Sequence, residues 1–299
     1  MSLAGRTAIV TGAGRGIGRA TAIQLARMGA AVVVNDLGAA VDGTGQDTSV
    51  AGAVVAEIEA SGGRAMASVG SVTDFAAVAR MVTEAVDRFG GVDVLVNNAG
   101  ATTAAPIWEM DPDVFDRVSA SHAKGTFNTI RCVAPHMRAR RWGRIVNLVS
   151  RAGLVGIPGT AAYAAGKGAV FALTNVAARD LASSGVTVNA VNPGSTGTRM
   201  VLGAVERARA QGGADAVARA ARLEAALQAP EDVAVLIAAL CTEEAGRLTG
   251  QVLFVGRGEI GLFRPLGVEQ TAKAVDGWTM ESLLTALGGF EPYPLDAPY

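Results

Sequence analysis

Short runs of apolar, largely β-branched residues alternate along this chain with longer Ala-rich stretches whose apolar residues recur at helical spacing. We interpret seven of the short runs as strands: residues 7–10, 31–35, 65–69, 92–96, 144–149, 186–191 and 251–255. Strands that alternate with helices form parallel sheets covered by helices on both faces. The pattern therefore predicts an α/β fold with a doubly wound, seven-stranded parallel sheet.

The length and composition of the chain allow this sheet to lie in one domain. Half of the 299 residues are hydrophobic, which is enough for a sizeable core, and no repeat or low-complexity linker divides them. We predict a single domain over residues 1–256, in which residues 199–228 form a lid that closes over a substrate. A C-terminal extension, residues 257–299, has a predicted helix at 278–287 and a Pro-rich end at 290–299. We expect it to pack on the same domain or on a neighbouring subunit.

Charge and cysteine usage exclude several classes of protein. The formal net charge is −1 with both signs interspersed, so there is no basic footprint for nucleic acid. Two cysteines, Cys132 and Cys241, are too few for a disulfide framework or a zinc site, and we predict no metal site. The N-terminus lacks a secretory pattern and no run of eighteen apolar residues occurs. We expect a cytoplasmic protein that has no membrane contact.

A glycine-rich turn follows the first predicted strand and precedes a helical pattern. Residues 11–18 read Thr-Gly-Ala-Gly-Arg-Gly-Ile-Gly, so Gly12, Gly16 and Gly18 are spaced as G-x-x-x-G-x-G. This departs from G-x-G-x-x-G, whose third glycine would replace Ile17. Glycines let the backbone approach a phosphate, which the N–H groups and dipole of the following helix attract. The context favours a Rossmann-like phosphate site over a plain tight connection.

Asp36 ends the second predicted strand, eighteen residues after Gly18. A carboxylate there can accept both ribose hydroxyls of an adenosine and would repel a 2′-phosphate, which favours NAD over NADP. Arg15 is the competing signal, because its guanidinium could bind that phosphate, although a solvated loop arginine is the alternative. Residues 37–47 form either a flap beside the adenosine or a plain surface loop.

Tyr163 and Lys167 would lie one turn apart on one face of a helix. An ammonium roughly 4 Å from a phenol favours the phenolate by about 4 kcal/mol at an effective dielectric near 20. The tyrosine could then exchange a proton near neutral pH. Ser150 follows the predicted strand 144–149, which would deliver its hydroxyl to the edge of the sheet. Tyr-x-x-x-Lys also occurs by chance in many helices, so the other motifs must decide.

Five motifs occur together in the order and spacing of the short-chain dehydrogenases/reductases, and the chain resembles this family over about residues 3–260. The motifs are Thr11-Gly-x-x-x-Gly-x-Gly18, Asn97-Asn-Ala-Gly100, Ser150, Tyr163-x-x-x-Lys167 and Pro193-Gly-x-x-x-Thr198. The resemblance implies a nicotinamide dinucleotide cofactor and Tyr163 as general acid/base. It also implies that Lys167 lowers the tyrosine pKa and holds the nicotinamide ribose, that Ser150 hydrogen-bonds the substrate oxygen, and that Thr198 contacts the nicotinamide end.

The same resemblance implies the set of residues that contact the cofactor. They are Gly12, Arg15, Gly16, Ile17, Gly18, Asp36, Ser71, Val72, Asn98, Ala99, Gly100, Tyr163, Lys167, Pro193, Gly194, Thr196 and Thr198. Ser71 and Val72 stand where the family commonly has an acidic residue that contacts adenine. For the two asparagines of residues 97–100 we expect a structural role between neighbouring strands rather than a catalytic one.

His122 stands where the family usually has a catalytic asparagine. That position anchors a water in the proton relay, largely through its backbone carbonyl, so the change need not break the relay, and we keep His122 as a candidate catalytic residue. With residues 34–38 and 250–256, it is similar to the branch that contains the (3R)-hydroxyacyl-CoA dehydrogenase part of peroxisomal multifunctional enzyme type 2. This similarity suggests an acyl-CoA thioester or another bulky apolar alcohol as substrate.

Two functions are compatible with these residues. The favoured one is an NAD(P)-dependent oxidoreductase that interconverts a secondary alcohol and a ketone. The alternative is a nucleotide-binding sensor or scaffold without chemistry, which would have no need of Ser150, Tyr163 and Lys167 together. The family resemblance also implies a homodimer or homotetramer built on the helices around residues 113–138 and 160–182.

Overall fold

The computed structural model describes residues 1–264, 268–275 and 277–292, so the end of the predicted Pro-rich stretch, residues 293–299, lies outside the described residues. The chain divides into two compact units, Met1–Phe263 and Arg264–Tyr299. The expected boundary at residue 256 falls inside the last β-hairpin of the first unit.

The first unit is built on a single sheet of eight strands. They are β1 (Thr7–Thr11), β2 (Ala31–Asn35), β3 (Arg64–Ser68), β4 (Val94–Asn97), β5 (Gly143–Leu148), β6 (Val186–Pro193), β7 (Val252–Gly256) and β8 (Glu259–Leu262). Their spatial order is β3-β2-β1-β4-β5-β6-β7-β8, and all neighbouring pairs are parallel except β7 and β8. The predicted α/β class and the seven parallel strands are confirmed.

The predicted strand count of seven is wrong by one, because the sequence interpretation missed β8. This strand has only four residues, and its side chains are mostly exposed, so it lacks the apolar run of a buried strand. A two-residue turn, in which both Arg257 (φ 40) and Gly258 (φ 84) are left-handed, joins it to β7. Such turns match the twist of paired antiparallel strands.

Nine helices of the first unit connect and cover the strands. They are α1 (Gly16–Arg27), α2 (Ser49–Ala60), α3 (Phe75–Phe89), α4 (Pro112–Arg140), α5 (Arg151–Val155), α6 (Ala161–Leu181), α7 (Arg199–Gln211), α8 (Ala214–Ala225) and α9 (Pro230–Leu240). Asp74 and Asp111 begin α3 and α4 by accepting hydrogen bonds from backbone N–H groups of the first turn. A short 3₁₀ turn, Ala182–Ser184, follows α6.

Two apolar layers hold the helices against the sheet. Residues of α1, α2 and α9 pack on one face with Val10 and Val34, whereas residues of α3, α4 and α6 pack on the other face with Ile9 and Val33. Neighbouring residues of one strand thus enter opposite layers, as the period of two requires. The strands are buried on both sides, which explains their continuous apolar runs.

A buried carboxylate ties the amino-terminal edge of the sheet together. Asp93, just before β4, is 1 % exposed and lies 3.2 Å from Nη1 of Arg6 and 3.1 Å from Nη1 of Arg140. Its second oxygen accepts a hydrogen bond from the N–H of Thr7 at 2.9 Å. The start of β1 and the end of α4 are therefore joined on the side of the sheet opposite the loops that follow the strands.

The second unit contains α10 (Met280–Gly288), whose N-cap Thr279 exchanges hydrogen bonds with Ser282. Gln270 and Glu291 are also linked to each other, through a side-chain amide and the backbone. Within the described ranges, no helix combines the length and the apolar character needed to cross a membrane.

Candidate active site

The glycine-rich loop after β1 is packed so closely that side chains cannot enter it. A Cβ on Gly12 (φ 61) would lie 2.8 Å from Cα of Ala99, and one on Gly18 would lie 2.1 Å from the carbonyl oxygen of Gly12. Arg15 is the N-cap of α1 and gives no side-chain cap, so the first N–H groups of this helix lack a capping side chain. The loop and helix end thus form a cradle that suits a phosphate group.

The asparagine motif after β4 supports this cradle. Nδ2 of Asn98 donates to the carbonyl oxygens of Thr11 (3.0 Å) and Gly12 (2.9 Å). In return, Oγ1 of Thr11 accepts hydrogen bonds from the backbone N–H groups of Asn98 and Ala99, both at 3.1 Å. The structure therefore gives Asn98 the structural contacts that the sequence predicted.

Buried polar side chains link the strands to the helices behind the site. Nδ2 of Asn97 donates to Oδ1 of Asn147 at 2.9 Å, and Nδ2 of Asn147 donates to Oγ1 of Thr174 at 2.9 Å. Oγ1 of Thr129 donates to Oδ1 of Asn97 at 2.6 Å. This amide network joins β4, β5, α4 and α6.

Asp36 lies directly after β2 and connects two loops. Its Oδ2 accepts a hydrogen bond from the N–H of Gly14 and its Oδ1 accepts one from the N–H of Gly38, both at 2.7 Å. A Cβ on Gly14 would come 2.8 Å from Oδ2 of Asp36, so only glycine fits there. Each carboxylate oxygen can accept a second hydrogen bond, which leaves capacity for ribose hydroxyls.

Residues after β3 border the same edge of the sheet. Ser71 pairs its hydroxyl with that of Thr73 at 2.9 Å, and the carbonyl oxygen of Val72 accepts a hydrogen bond from Nδ2 of Asn128 at 2.9 Å. Val72 is buried against Gly125, where a Cβ would approach its side chain to 2.6 Å. Contacts with these two residues of α4 therefore hold both the backbone and the side chain of Val72 in place.

Ser150, Tyr163 and Lys167 come together after β5 and in the first two turns of α6. Ser150 is the N-cap of α5, where its Oγ accepts a hydrogen bond from the N–H of Ala152, and its hydroxyl is close enough to the phenol of Tyr163 to lower the pKa of that phenol. Lys167 is 5 % exposed, and its Nζ donates to the carbonyl oxygen of Leu148 at 2.5 Å. Nζ lies 5.8 Å from the ring centroid of Tyr163.

The electrostatics of this trio differ from the expectation that Lys167 lowers the pKa of Tyr163. Burial raises the pKa of the Tyr163 phenol, and the hydrogen bond from Ser150 lowers it by a smaller amount. Burial also lowers the pKa of Lys167 to about 7. The reason is that Lys167 is almost fully buried and Tyr163 partly buried, and loss of contact with water disfavours the phenolate as well as the ammonium. Near neutral pH the phenol is therefore protonated.

His122 lies on α4 beside the tyrosine and is 1 % exposed. Its Nε2 lies 2.8 Å from the carbonyl oxygen of Ala101, so Nε2 carries the proton and donates it. Its Nδ1 is buried without a hydrogen-bond partner among the described residues. Burial, with a smaller effect of Lys167, lowers the pKa of His122 to about 3, so the imidazole is neutral.

Two glycines leave the space that this imidazole fills. A Cβ on Gly100 would lie 1.9 Å from Cε1 of His122, and one on Gly166 would lie 2.9 Å from its Cβ. A residue with a side chain at position 100 would therefore collide with the imidazole of His122.

The motif after β6 leads into the predicted lid. Pro193 ends β6, and the N–H of Gly194 donates to the carbonyl oxygen of Val255 at 2.8 Å. Thr198 is the N-cap of α7, and its Cγ2 lies 3.0 Å from where a Cβ on Gly16 would stand. Thr198 therefore adjoins the glycine-rich loop.

Residues 199–228 form the pair α7 and α8, joined by an ion pair between Arg209 and Glu224. Gln228, which the sequence interpretation missed, follows α8 and links the end of this helix pair to the segments after β6 and in β7. Its buried Nε2 donates to Oγ1 of Thr196 (3.3 Å) and to the carbonyl oxygen of Val255 (2.9 Å). No sequence signal marked it, because its partners are far away in the chain.

The side chains that face this edge fit a nicotinamide dinucleotide. The glycine cradle would hold its diphosphate, Asp36 its adenosine ribose, and Lys167 its nicotinamide ribose beside Tyr163. Within the described part of the chain, no group of three or more His, Cys, Asp or Glu side chains could hold a metal ion.

Comparisons with known proteins identify the family of this chain. Residues 6–208 match the family model described as short chain dehydrogenase. A 3-oxoacyl-(acyl-carrier-protein) reductase of Staphylococcus aureus is 39 % identical over 260 residues, which cover 85 % of this chain and 97 % of the relative. Peroxisomal multifunctional enzyme A of Dictyostelium discoideum is 42 % identical over 188 residues, which cover 63 % of this chain and 42 % of that protein.

Solved structures show the same likeness. The crystal structure of a short chain dehydrogenase from Mycobacterium avium is 36 % identical, with a TM-score of 0.80 and 98 % of both chains covered. A dehydrogenase/reductase from Sinorhizobium meliloti 1021 is 38 % identical, with a TM-score of 0.72, 85 % of this chain covered and 94 % of the other. The coverage of the first structure reaches into the segment after residue 263.

Proposed function

Because this chain belongs to the short-chain dehydrogenase family, and is thus an NAD(P)-dependent oxidoreductase of CH–OH and ketone groups, we propose that Tyr163 transfers the proton in its reaction. The observation that carries the proposal is that the hydroxyl of Ser150, which follows β5 of the same sheet whose β1 leads into the glycine cradle, lies close enough to the Tyr163 phenol to lower its pKa. Two hydroxyl groups that meet at one point can both bind a single substrate oxygen.

The bound nicotinamide supplies or accepts the hydride. In the reductive direction, Ser150 donates a hydrogen bond to the substrate carbonyl oxygen, and Tyr163 gives it a proton. The raised pKa of the partly buried phenol suits this direction, since it keeps the proton on Tyr163 until negative charge develops on the substrate oxygen. In the oxidative direction, Tyr163 first gives up its own proton and then, as the phenolate, accepts the proton of the alcohol, while Ser150 holds the alcohol oxygen by a hydrogen bond.

Lys167 has two tasks in this proposal. Its Nζ carries three donors, of which one is directed at the carbonyl oxygen of Leu148. The other two can bind the hydroxyls of the nicotinamide ribose. A pKa of about 7 also allows the amine to give a proton towards Tyr163 and to regain it from water at physiological pH.

We propose NAD as the preferred cofactor and NADP as the less favoured one. The carboxylate of Asp36 is fixed between Gly14 and Gly38 with remaining acceptor capacity, and a 2′-phosphate at that place would meet its negative charge. Arg15 is the opposing signal. Measured affinities for the two reduced cofactors decide between them.

A bulky, largely apolar substrate is proposed because exposed apolar side chains lie on segments next to Ser150 and Tyr163. Val155 and Ile157 lie between these two residues in the chain, and Ile107 and Trp108 belong to the loop in which Ala105 pairs with Thr160. The Staphylococcus aureus relative is named a 3-oxoacyl-(acyl-carrier-protein) reductase, and the Dictyostelium relative is named a peroxisomal multifunctional enzyme. We therefore propose a 3-oxoacyl or 3-hydroxyacyl thioester.

We also propose that the protein forms a homodimer or a homotetramer through α4 and α6. A shallow groove between these helices is lined by Ala123, Lys124, Phe127, Ala169, Ala172, Leu173 and Val176. Phe127 and Val176 are both more than half exposed in the single chain. Burial of this apolar surface would favour association.

The test is oxidation of NADH or NADPH followed by absorbance, with 3-oxoacyl thioesters and simple ketones as substrates. Turnover of a 3-oxoacyl thioester supports the proposal. Nucleotide binding without turnover of any ketone or alcohol would instead favour the sensor or scaffold.

A further inference from the structure

Arg199 connects two loops that lie on different sides of the glycine-rich loop. It is the first residue of α7, and its Nη2 donates to the carbonyl oxygen of Ala39 at 3.3 Å. Ala39 belongs to the loop after β2, whereas α7 follows β6. Since β1, β4 and β5 lie between β2 and β6 in the sheet, this side chain reaches across the loops that form the cradle.

A second arginine lies close to it. Arg15 lowers the pKa of Arg199, after the larger effect of burial, and Asp36 raises it, so the three charges are neighbours. Asp36 already accepts hydrogen bonds from the N–H groups of Gly14 and Gly38. Among the described ion pairs, none involves Arg15 or Arg199. Asp47, near Arg15, is exposed and hydrogen-bonded to Ser49.

Both arginines stand at unfavourable places on their helices. Arg15 is the N-cap of α1 and Arg199 is the first residue of α7. The N-terminal end of a helix carries partial positive charge, so a cation there costs free energy unless an anion is present. Contact between Thr198 and Gly16 brings these two helix ends together. The place where they meet is therefore suited to an anion.

We propose that Arg199 is a cofactor-binding residue whose guanidinium, together with Arg15, holds a phosphate group of the dinucleotide from the side of the lid. The inference rests on the proposed function, which supplies the dinucleotide. The phosphate belongs either to the diphosphate bridge or to the 2′-position of NADP. Arg199 thereby couples closure of α7 and α8 to the presence of the cofactor, because it lies in the first turn of the lid.

The test is calorimetric titration of the full chain with adenosine, ADP and adenosine 2′,5′-bisphosphate. Arg199→Gln should weaken binding of a phosphate-bearing ligand on the order of tenfold or more, as expected for loss of a charged hydrogen bond. Binding of adenosine should be unchanged. Arg199→Lys should retain part of the affinity. Arg207→Gln, which removes another exposed arginine of α7, is the matched control and should have no effect.

The pattern of losses identifies the phosphate. ADP and adenosine 2′,5′-bisphosphate share the 5′-phosphate, so a loss of affinity for both, or for ADP alone, places Arg199 at the diphosphate, whereas a loss confined to the 2′,5′-bisphosphate places it at the 2′-phosphate. If Arg199→Gln binds both phosphorylated ligands as tightly as the unmodified protein does, the role of Arg199 is refuted, while the proposed function is not affected. Failure of the unmodified protein to bind any of the three ligands would overturn the proposed function and this inference with it.

Limited proteolysis gives a readout that does not depend on turnover. ADP should protect residues 199–228 from cleavage in the unmodified protein and in Arg207→Gln. It should protect them less in Arg199→Gln at a concentration that saturates both variants. Equal protection in all three proteins would show that Arg199 does not couple the lid to the phosphate.

Discussion

The imidazole of His122 stands nearly perpendicular to the ring of Tyr163, with an angle of 83° between their planes and 5.1 Å between their centroids. Because Nε2 donates to Ala101, Nδ1, which has no hydrogen-bond partner in the described part of the chain, is an acceptor in the interior beside the proposed proton donor. A neutral imidazole there can orient the tyrosine without adding a charge to the site.

Replacement of Tyr163 by Phe tests the proton transfer. The change removes only the hydroxyl, so we expect kcat to fall by about 10²-fold to 10⁴-fold, the usual contribution of general acid/base catalysis. Affinity for NADH should change little. Steady-state rates and calorimetric titration measure the two effects, and retained turnover would refute the role of Tyr163.

Replacement of Lys167 by Met should increase stability at neutral pH while it removes activity. Its folded-state pKa of about 7 is depressed from the ordinary value of 10.5, so the unfolded chain binds the extra proton between these values. The stability of the unmodified protein should accordingly rise from pH 7 towards pH 10 through this residue. Met avoids the buried ammonium, with a gain on the order of 1–3 kcal/mol. Urea unfolding at pH 7 and pH 9 measures both effects, and a less stable variant at pH 7 would contradict the prediction.

His122 should make the protein less stable in mild acid. Its folded pKa of about 3 lies below the ordinary value of 6.5, so stability is fully present above pH 6.5 and is lost as pH falls towards 3. The slope from this residue alone approaches about 1.4 kcal/mol per pH unit. His122→Asn should flatten the urea-unfolding profile between pH 6.5 and 4.5, and an unchanged profile would argue against a buried neutral imidazole.

Replacement of Asp36 by Ala should narrow the difference between NAD and NADP affinity. The variant loses the charge that opposes a 2′-phosphate, and it also frees the N–H groups of Gly14 and Gly38. Asp36→Asn separates these effects, since it keeps the shape and one acceptor oxygen while it removes the charge. Dissociation constants for both cofactors provide the measurement; an unmodified protein that already prefers NADP would refute the reading of this carboxylate.

Replacement of Asp93 by Ala should destabilise the protein by about 3–5 kcal/mol, because it leaves the charges of Arg6 and Arg140 without their common partner. Both arginines are partly exposed, so the loss belongs at the lower end of this range. Asp113→Ala, at an exposed position in α4, is the matched control. Urea unfolding measures the free energy of unfolding of both variants. Similar unfolding midpoints for Asp93→Ala and Asp113→Ala would contradict the predicted role of Asp93.

Local pattern was sufficient to predict the main strands and the helices between them, since buried parallel strands are apolar throughout. It also delivered Ser150 to the edge of the sheet and put Tyr163 and Lys167 on one face of a helix, whereas the meeting of the three was implied by the family resemblance. Contacts between residues far apart in the chain were not predictable in this way: Gln228 has partners in two other segments, and Arg199 reaches Ala39. The direction of the Tyr163 pKa shift depends on how much water reaches the phenol, which spacing along a helix does not reveal.

The amide network of Asn97, Asn147, Thr129 and Thr174 has a consequence for how this enzyme can change over evolution. Asn147 lies three residues before Ser150, and Thr174 lies on the same helix as Tyr163 and Lys167. The reacting hydroxyls are therefore held in one connected block, whereas the exposed apolar side chains of Ile107, Trp108 and Ile157 lie on separate loops. Substitutions of these exposed loop residues can change which substrate is accepted, while the arrangement of the reacting hydroxyls stays the same.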